Sequence, residues 1–100
     1  GINFSSMFAN ATSFNQDIGS WDVSNGINFS GMFTNVTLST SNYDSILTGW
    51  SSSLNNAYPG GVGYTPNITI DFGGSTYTSQ SAKDDLVNVF GWTITDGGLA

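Results

Sequence analysis

A 25-residue repeat is the feature of this sequence that most restricts its fold. Residues 1–11, GINFSSMFANA, and residues 26–36, GINFSGMFTNV, share Gly, Ile, Asn, Phe, Ser, Met, Phe and Asn at identical offsets. A second similarity relates residues 68–74, ITIDFGG, to residues 92–98, WTITDGG, at an offset of 24 residues. Two unrelated motifs that recur at nearly one spacing indicate stacked turns of one coil, because each repeat buries its apolar side against its neighbours.

The repeat spacing predicts an α/β repeat fold of about four turns, with short parallel strands and short helices, in one domain over residues 1–100. The predicted boundaries are repeats at residues 1–25 and 26–50, an irregular loop at residues 51–66 and a C-terminal capping turn at residues 67–98. The loop is assigned from its Asn, Gly and Pro residues, which favour turns.

Apolar spacing predicts where each turn is helical. Quartets at positions i, i+3, i+4 and i+7 indicate short helices, and they are Phe4, Met7, Phe8 and Ala11, then Phe29, Met32, Phe33 and Val36, then Tyr43, Ile46, Leu47 and Trp50. A fourth helix is predicted over residues 80–90, between Ser79 as N-cap and Gly91 after its end. Short strands are expected at residues 16–18, 27–29, 68–70 and 92–94.

The charge inventory excludes several classes of function. All seven acidic residues are Asp, Lys83 is the only basic residue, and the net charge is -6. Such a chain cannot neutralise phosphates, so nucleic acid is excluded as a partner and anionic membranes are disfavoured. No apolar run approaches the roughly 20 residues that membrane insertion needs. Gly1 begins directly on repeat sequence, so we expect a mature piece or a fragment of a longer protein.

Catalysis and cofactor binding are not expected. The sequence has no His and no Cys, which removes the commonest general base and the most reactive nucleophile. Asp17 and Asp22 resemble a carboxylate pair, but we interpret them as residues that cap loop backbone N–H groups. No calcium-loop spacing occurs, and thiolate metal sites are impossible without Cys.

The three Trp residues and Ser45 each have two possible interpretations. Trp21, Trp50 and Trp92 each close an apolar segment, which favours core positions, although a sugar-stacking platform is the alternative. Asp44-Ser45-Ile46 resembles a bacterial O-glycosylation signal that makes Ser45 the acceptor, and the alternative is that Ser45 is ordinary helix surface.

Residues 7–25, MFANATSFNQDIGSWDVSN, resemble the repeat of BspA-like bacterial surface proteins, which are relatives of leucine-rich repeats. The C-terminal part resembles that family's usual end through Asn42-Tyr43-Asp44, Leu47-x-Gly49-Trp50 and residues 91–98, GWTITDGG. The resemblance implies a leucine-rich-repeat-like right-handed solenoid, display outside a bacterial cell or on its surface, and a role in adhesion or surface architecture. Gly26 departs from the family's usual Val, and the second repeat lacks the Phe-Asn-Gln-Asp segment, so we expect the repeat array to end in this chain.

The expected function is therefore a non-catalytic extracellular module whose partner is a protein or glycan on a host or environmental surface. Two alternatives remain: a filament subunit that stacks head-to-tail on copies of itself, and a glycan-binding module. Residues 1–11 are regular internal repeat without capping sequence. Ile2 and Phe4 are therefore the candidate assembly face, because an uncovered parallel edge with apolar neighbours tends to pair.

Overall fold

The computed structural model describes every residue of the chain, from Gly1 to Ala100. The helices are α1 (Thr40–Ala57) and α2 (Gln80–Asp84), with a 3-10 turn at Pro59–Gly61 and a π-helical turn at Asp85–Val89 that continues α2. The strands are β1 (Ile2–Asn3), β2 (Gly26–Asn28), β3 (Thr69–Asp71), β4 (Thr76–Tyr77), β5 (Thr93–Thr95) and β6 (Gly98–Leu99).

The strands form three separate two-stranded sheets, and every pair is parallel. β1 pairs with β2, β3 with β5 and β4 with β6. Thr69 lies opposite Thr93 and Ile70 opposite Ile94, so the 24-residue offset in the sequence is the strand register. The strands predicted near residues 27–29, 68–70 and 92–94 are confirmed, whereas residues 16–18 form no strand. A right-handed coil of about four turns stays a prediction.

Hydrogen bonds continue the pairing of the two repeats beyond β1 and β2. In the first repeat, alternate backbone amides donate to carbonyls of the second repeat. The N–H of Phe8 donates to Met32 O at 2.9 Å, and the N–H of Asn10 donates to Thr34 O at 2.8 Å. Successive repeats are therefore bonded to each other along residues 2–10, at the spacing of the sequence repeat.

The helices predicted at the first two quartets are wrong, because both segments are chains of tight turns. Ser6 and Asn10 have positive φ angles of 57° and 64°, and their repeat equivalents Gly31 and Asn35 have 66° and 62°. A left-handed residue cannot continue a right-handed helix. The apolar residues recur at helical spacing because each turn is about four residues long and returns the next apolar side chain to the interior.

The predicted irregular loop at residues 51–66 is also wrong at its start, because α1 continues to Ala57. Leu54 extends the buried face of the helix one turn beyond Trp50, and its side chain is fully buried. Ser51 Oγ and Asn55 Nδ2 both donate to Asp85 Oδ2 at 2.5 Å. Packing and these bonds outweigh the weak helix propensity of Ser and Asn.

The predicted helix at residues 80–90 is present in two parts, α2 and the π-helical turn. Gly91 follows with a φ of 72°, as expected of a residue just past a helix end. The hydroxyl of Ser79 makes no capping bond. Asp44 of α1 accepts the N–H of Ser79 at 3.0 Å, which attaches the residue before α2 to α1 but does not cap the N–H groups of α2.

Two columns of aromatic rings cross the turns and form the centre of the core. In the first aromatic column, Phe29 lies between Phe4 and Trp92, at ring-centroid distances of 5.1 and 5.0 Å. In the second aromatic column, Phe33 lies between Phe8 and Phe72, at 5.7 and 5.0 Å. Each column joins both repeats to the C-terminal part of the chain, so the buried residues form one continuous cluster.

Helix α1 sits on the first repeat through a close glycine contact. A Cβ at Gly49 would overlap the carbonyl oxygen of Gly19, and a Cβ at Gly19 would overlap the carbonyl oxygen of Ser45. The neighbouring Trp50 Nε1 donates to Ile18 O at 3.0 Å in the buried core. The two glycines therefore set the distance between α1 and the loop that follows Ile18.

Substitution of the central ring in the second aromatic column tests the core. Phe33→Ala is expected to lower the free energy of unfolding by about 3–5 kcal/mol, because Phe33 is fully buried. Phe8→Ala should cost less, about 1–3 kcal/mol, because its ring is only half-buried at the end of the same column. Urea denaturation measures both, and equal losses would contradict the assigned column.

The glycine contact predicts that Gly49→Ala lowers stability, whereas helix propensity alone predicts that it raises stability. Ala at an exposed helix position would stabilise by about 1 kcal/mol relative to Gly. Gly49→Ala should instead destabilise by about 2 kcal/mol or more, because its Cβ meets backbone that cannot rotate away. Thr48→Ala, at the exposed neighbouring position of α1, is the matched control. A stability gain in Gly49→Ala, measured by thermal unfolding, would show that α1 does not contact Gly19.

Candidate functional site

Two apolar side chains of the first repeat, Met7 and Phe8, are more exposed than their equivalents in the second repeat, whereas Ile2 and its equivalent Ile27 are both exposed. Met7 is 46% exposed and its equivalent Met32 is 0% exposed. Phe8 is half-buried, whereas Phe33 is fully buried. The sequences match, so the difference arises because the second repeat has a turn on each side and the first has one. The exposed and half-buried apolar residues of this end are called the N-terminal edge: Ile2, Met7, Phe8 and Phe14.

Of the two residues proposed as an assembly face, only Ile2 lies open to solvent. Ile2 is 45% exposed, but Phe4 is only 7% exposed, so its expected place on an open face is wrong. The ring of Phe4 turns inward and stacks on Phe29. Sequence reasoning missed Met7 and Phe14 as edge residues. For Met7, the signal was available in its repeat alignment with Met32.

A side-chain hydrogen bond beside the N-terminal edge joins two Asn residues at equivalent positions of the two repeats. Asn35 Nδ2 donates to Asn10 Oδ1 at 2.7 Å, and the two residues occupy equivalent positions. Both adopt the left-handed conformation that Asn tolerates better than most residues. Asn10 is exposed, and its own Nδ2 has no hydrogen-bond partner in the protein. The side-chain amide of Asn10 therefore accepts a bond from the second repeat, and its own Nδ2 is free to donate to an equivalent Asn in a preceding repeat.

An open cleft of about 590 Å³ lies between residues 19–24 and the C-terminal half of α1. This Trp21 cleft combines one aromatic residue with short polar side chains and two glycines. Its lining residues are Gly19, Ser20, Trp21, Asp22, Ser24, Gly49, Ser52, Ser53, Asn56 and Ala57. The glycine contact described above forms the base of the cleft, so the seating of α1 on the first repeat determines its shape.

Asp22 is the only charged residue of the cleft, and one of its oxygens is fully used. Asp22 Oδ1 accepts bonds from the hydroxyl and the N–H of Ser24 at 2.6 and 2.9 Å, and from Ser53 Oγ at 3.0 Å. The bonds from Ser24, followed by that from Ser53, hold the pKa of Asp22 below its usual value. The carboxylate is therefore ionised near neutral pH and held in one orientation.

The interpretation of Asp17 and Asp22 as loop caps is confirmed. Asp17 Oδ1 accepts the N–H of Gly19 at 2.8 Å, two residues further along the chain. Asp22 makes the same contact with Ser24. The two carboxylates thus each stabilise a separate turn, which is a structural role.

The tryptophans do not form a shared platform. Trp50 and Trp92 are 0% and 1% exposed, so they are core residues, and only Trp21 is accessible to solvent. Ser45, the candidate glycosylation acceptor, is half-buried within α1 on the side of the helix that meets Gly19. Modification of Ser45 stays a prediction.

A second group of ionisable residues connects α2 to the end of the chain. Lys83 Nζ lies 3.0 Å from Asp96 Oδ2, and the carboxylate side chain is 4% exposed. Tyr43 OH donates to the same oxygen at 2.6 Å. Burial, and then the hydrogen bond and charge of Asp96, raise the pKa of Tyr43 well above its usual value. The one lysine of the chain is therefore paired with a buried carboxylate.

The pKa shifts predict a plateau in stability against pH. Burial opposes ionisation of Asp44, but bonds from Thr78 and Ser79 outweigh it and lower its pKa below 3.8. A depressed carboxyl pKa stabilises the fold above the unfolded value, and this stability is lost as pH falls through the folded value. For Tyr43, with a raised pKa, stability is present below about pH 10 and lost above it.

We therefore expect a thermal midpoint that is flat from about pH 5 to 9 and falls on both sides. Asp44→Asn should reduce the acid-side slope, and Tyr43→Phe the alkaline-side slope, in circular dichroism melts. An acid-side slope that Asp44→Asn leaves unchanged would contradict the assigned role of the Thr78 and Ser79 bonds.

Comparison with known proteins gives a family match for the N-terminal part of the chain. The model of a family described as Mycoplasma protein of unknown function, DUF285, matches residues 1–58, which contain both repeats and α1. No curated protein and no solved structure matches the chain. No helix has the length and apolar character that crossing a membrane requires. Because the match covers more than half of the sequence, the chain belongs to the DUF285 family.

Proposed function

We propose that the chain is a non-catalytic module of a bacterial surface or secreted protein, in which it builds a repeat stack for adhesion or surface architecture. The N-terminal edge is the observation that carries this proposal. Met7 is 46% exposed and Phe8 is half-buried where Met32 and Phe33 are buried, so a further turn of the same shape would cover them. Such a turn belongs either to the same polypeptide or to another copy.

The proposed architecture is a leucine-rich-repeat-like, right-handed solenoid of the BspA type. Three observations support it: the register of the parallel strands, the hydrogen bonds between the repeats and the aromatic columns that cross the turns. DUF285 repeats often occur with BspA-like surface proteins, which agrees with the resemblance of residues 7–25 and with an extracellular location.

The charge distribution supports a protein or glycan as the partner of this surface. Lys83, the only basic side chain, is paired with Asp96. The remaining surface is built from Ser, Thr, Asn and Gly with scattered Asp, so it offers no positive patch for nucleic acid or anionic lipid. Recognition through hydroxyl and amide groups fits both macromolecular surfaces and glycans.

The filament alternative rests on the same edge. At the other end of the chain, β6 is an edge strand and Leu99 is 64% exposed. Docking of one copy's N-terminal edge on another copy's β6 end would be a heterologous contact, which produces open arrays. The net charge of -6 opposes such docking, so salt should promote it by screening.

A chain extended by one repeat tests the stacking proposal. We expect a second copy of residues 1–25, fused before Gly1, to raise the thermal midpoint, because it buries Met7 and Phe8 and pairs with Asn10. Each 1 kcal/mol gained should raise the midpoint by roughly 4–8 °C in a domain of this size. A fused segment of the same composition in scrambled order is the control. An unchanged midpoint for the true repeat would show that the N-terminal edge does not stack.

Sedimentation of the unextended chain tests the filament alternative. Self-assembly should grow with protein concentration and with salt, and the fused repeat should not abolish it if the β6 end is the partner. A monomer at all concentrations, in both low and high salt, would exclude the filament and leave the stacking proposal intact.

A further inference from the structure

We infer that the Trp21 cleft is a binding site for a neutral saccharide. This inference rests on the adhesive role proposed above and names the class of ligand that the module would hold.

The cleft has the size and rigidity of a preformed site. Its volume of about 590 Å³ lies within the usual range of small-molecule sites. Ser53 Oγ accepts the N–H of Val23 at 3.1 Å and donates to Asp22, which ties the loop to α1. With the Gly19–Gly49 contact at its base, the loop is held in place before any ligand arrives. Preorganisation of this kind reduces the ordering cost of binding.

The polar groups of the cleft are available to a ligand. Ser20, Ser52 and Asn56 are exposed, and their side chains have no hydrogen-bond partner within the protein. Asp22 Oδ1 is fully used, whereas its Oδ2 has no protein partner and is held in a fixed direction. Hydroxyl, amide and carboxylate groups together supply the donors and acceptors that a ring bearing several hydroxyls requires.

Trp21 supplies the apolar part of the site. It is the only aromatic residue in the lining and is half-buried, with its ring packed 5.9 Å from Phe8 and 6.3 Å from Phe4. An indole combines a large apolar surface with low conformational freedom, which suits contact with the C–H face of a sugar. One aromatic residue among short polar side chains favours a saccharide over a purely apolar ligand.

The charge of the cleft disfavours acidic ligands. No basic residue lines it, and Asp22, its only charge, repels anions. Sulfated, phosphorylated or sialylated glycans are therefore disfavoured. The short Ser and Gly residues provide no deep apolar pocket for the side chains of a peptide. A neutral oligosaccharide is the ligand that matches both the polar groups and the charge.

Tryptophan fluorescence offers a direct test, because Trp50 and Trp92 are buried and only Trp21 is accessible. The purified chain is titrated with neutral oligosaccharides of glucose, mannose, galactose and N-acetylglucosamine. We expect at least one to change the emission saturably, with a dissociation constant on the order of 1 mM. A polysulfated oligosaccharide should cause no saturable change.

Variants at exposed positions assign the binding to the cleft without disturbing the fold. Asn56→Ala and Ser52→Ala should each weaken binding by about fivefold or more, since each removes a free hydrogen-bonding group. Thr48→Ala, on α1 outside the lining, should bind like the parent chain. Circular dichroism melts confirm that all three variants fold.

The inference is overturned if no neutral oligosaccharide changes the emission up to about 10 mM, a tenfold excess over the expected constant. Binding that is equal in the parent chain and in Asn56→Ala and Ser52→Ala would also overturn it. Binding of only the polysulfated probe or of an extended peptide would do the same. None of these results decides the extended-repeat experiment, because that experiment measures the thermal midpoint of a longer chain and involves no ligand.

Discussion

Hydrogen bonding between successive repeats is the constraint on which the rest of this structure depends. Left-handed residues at Ser6 and Asn10 prevent a continuous helix in the first repeat, so its alternate amides must find partners outside their own turn. They find them at the next repeat, in a register close to 25 residues. That register brings identical side chains above each other, and the aromatic columns follow from it.

Helix α1 interrupts this regular arrangement and creates the features with functional potential. It occupies Thr40–Ala57, so it begins within the second repeat and continues beyond it. The Gly19–Gly49 contact allows close approach at one place, and the Trp21 cleft opens beside it. At the first repeat, Met7 and Phe8 of the N-terminal edge are more exposed than their equivalents Met32 and Phe33. We propose stacking at the edge and ligand binding at the cleft, and the two surfaces adjoin where the ring of Trp21 packs on Phe8.

The sequence predicted long-range features better than local ones. The offset between residues 68–74 and 92–98 predicted the pairing of β3 with β5, because equivalent residues of stacked repeats must lie opposite each other. The spacing of Phe4, Met7 and Phe8 predicted a helix that does not form, since turns of four residues place apolar side chains at helical intervals. Only backbone conformation, visible at Ser6 and Asn10, distinguishes the two cases.

The candidate site was predictable only in part. The matching sequences of the repeats made the inward position of Phe8 and Phe33 readable, but the burial of Phe4 depends on a ring from the next turn. The Trp21 cleft could not be predicted, because Ser52 and Asn56 come close to Trp21 only through the unexpected extension of α1. Asp85, which binds Ser51 and Asn55, supplies the contact that favours this extension.

The central claim, that the repeats stack in register, is tested most directly by nuclear Overhauser effects in solution. We expect contacts between the ring protons of Phe8 and Phe33, and between those of Phe33 and Phe72, whose centroids lie 5.7 and 5.0 Å apart. We expect no run of sequential amide–amide contacts typical of a helix through residues 4–11. A helical pattern there, without contacts between the Phe8 and Phe33 rings, would contradict the account.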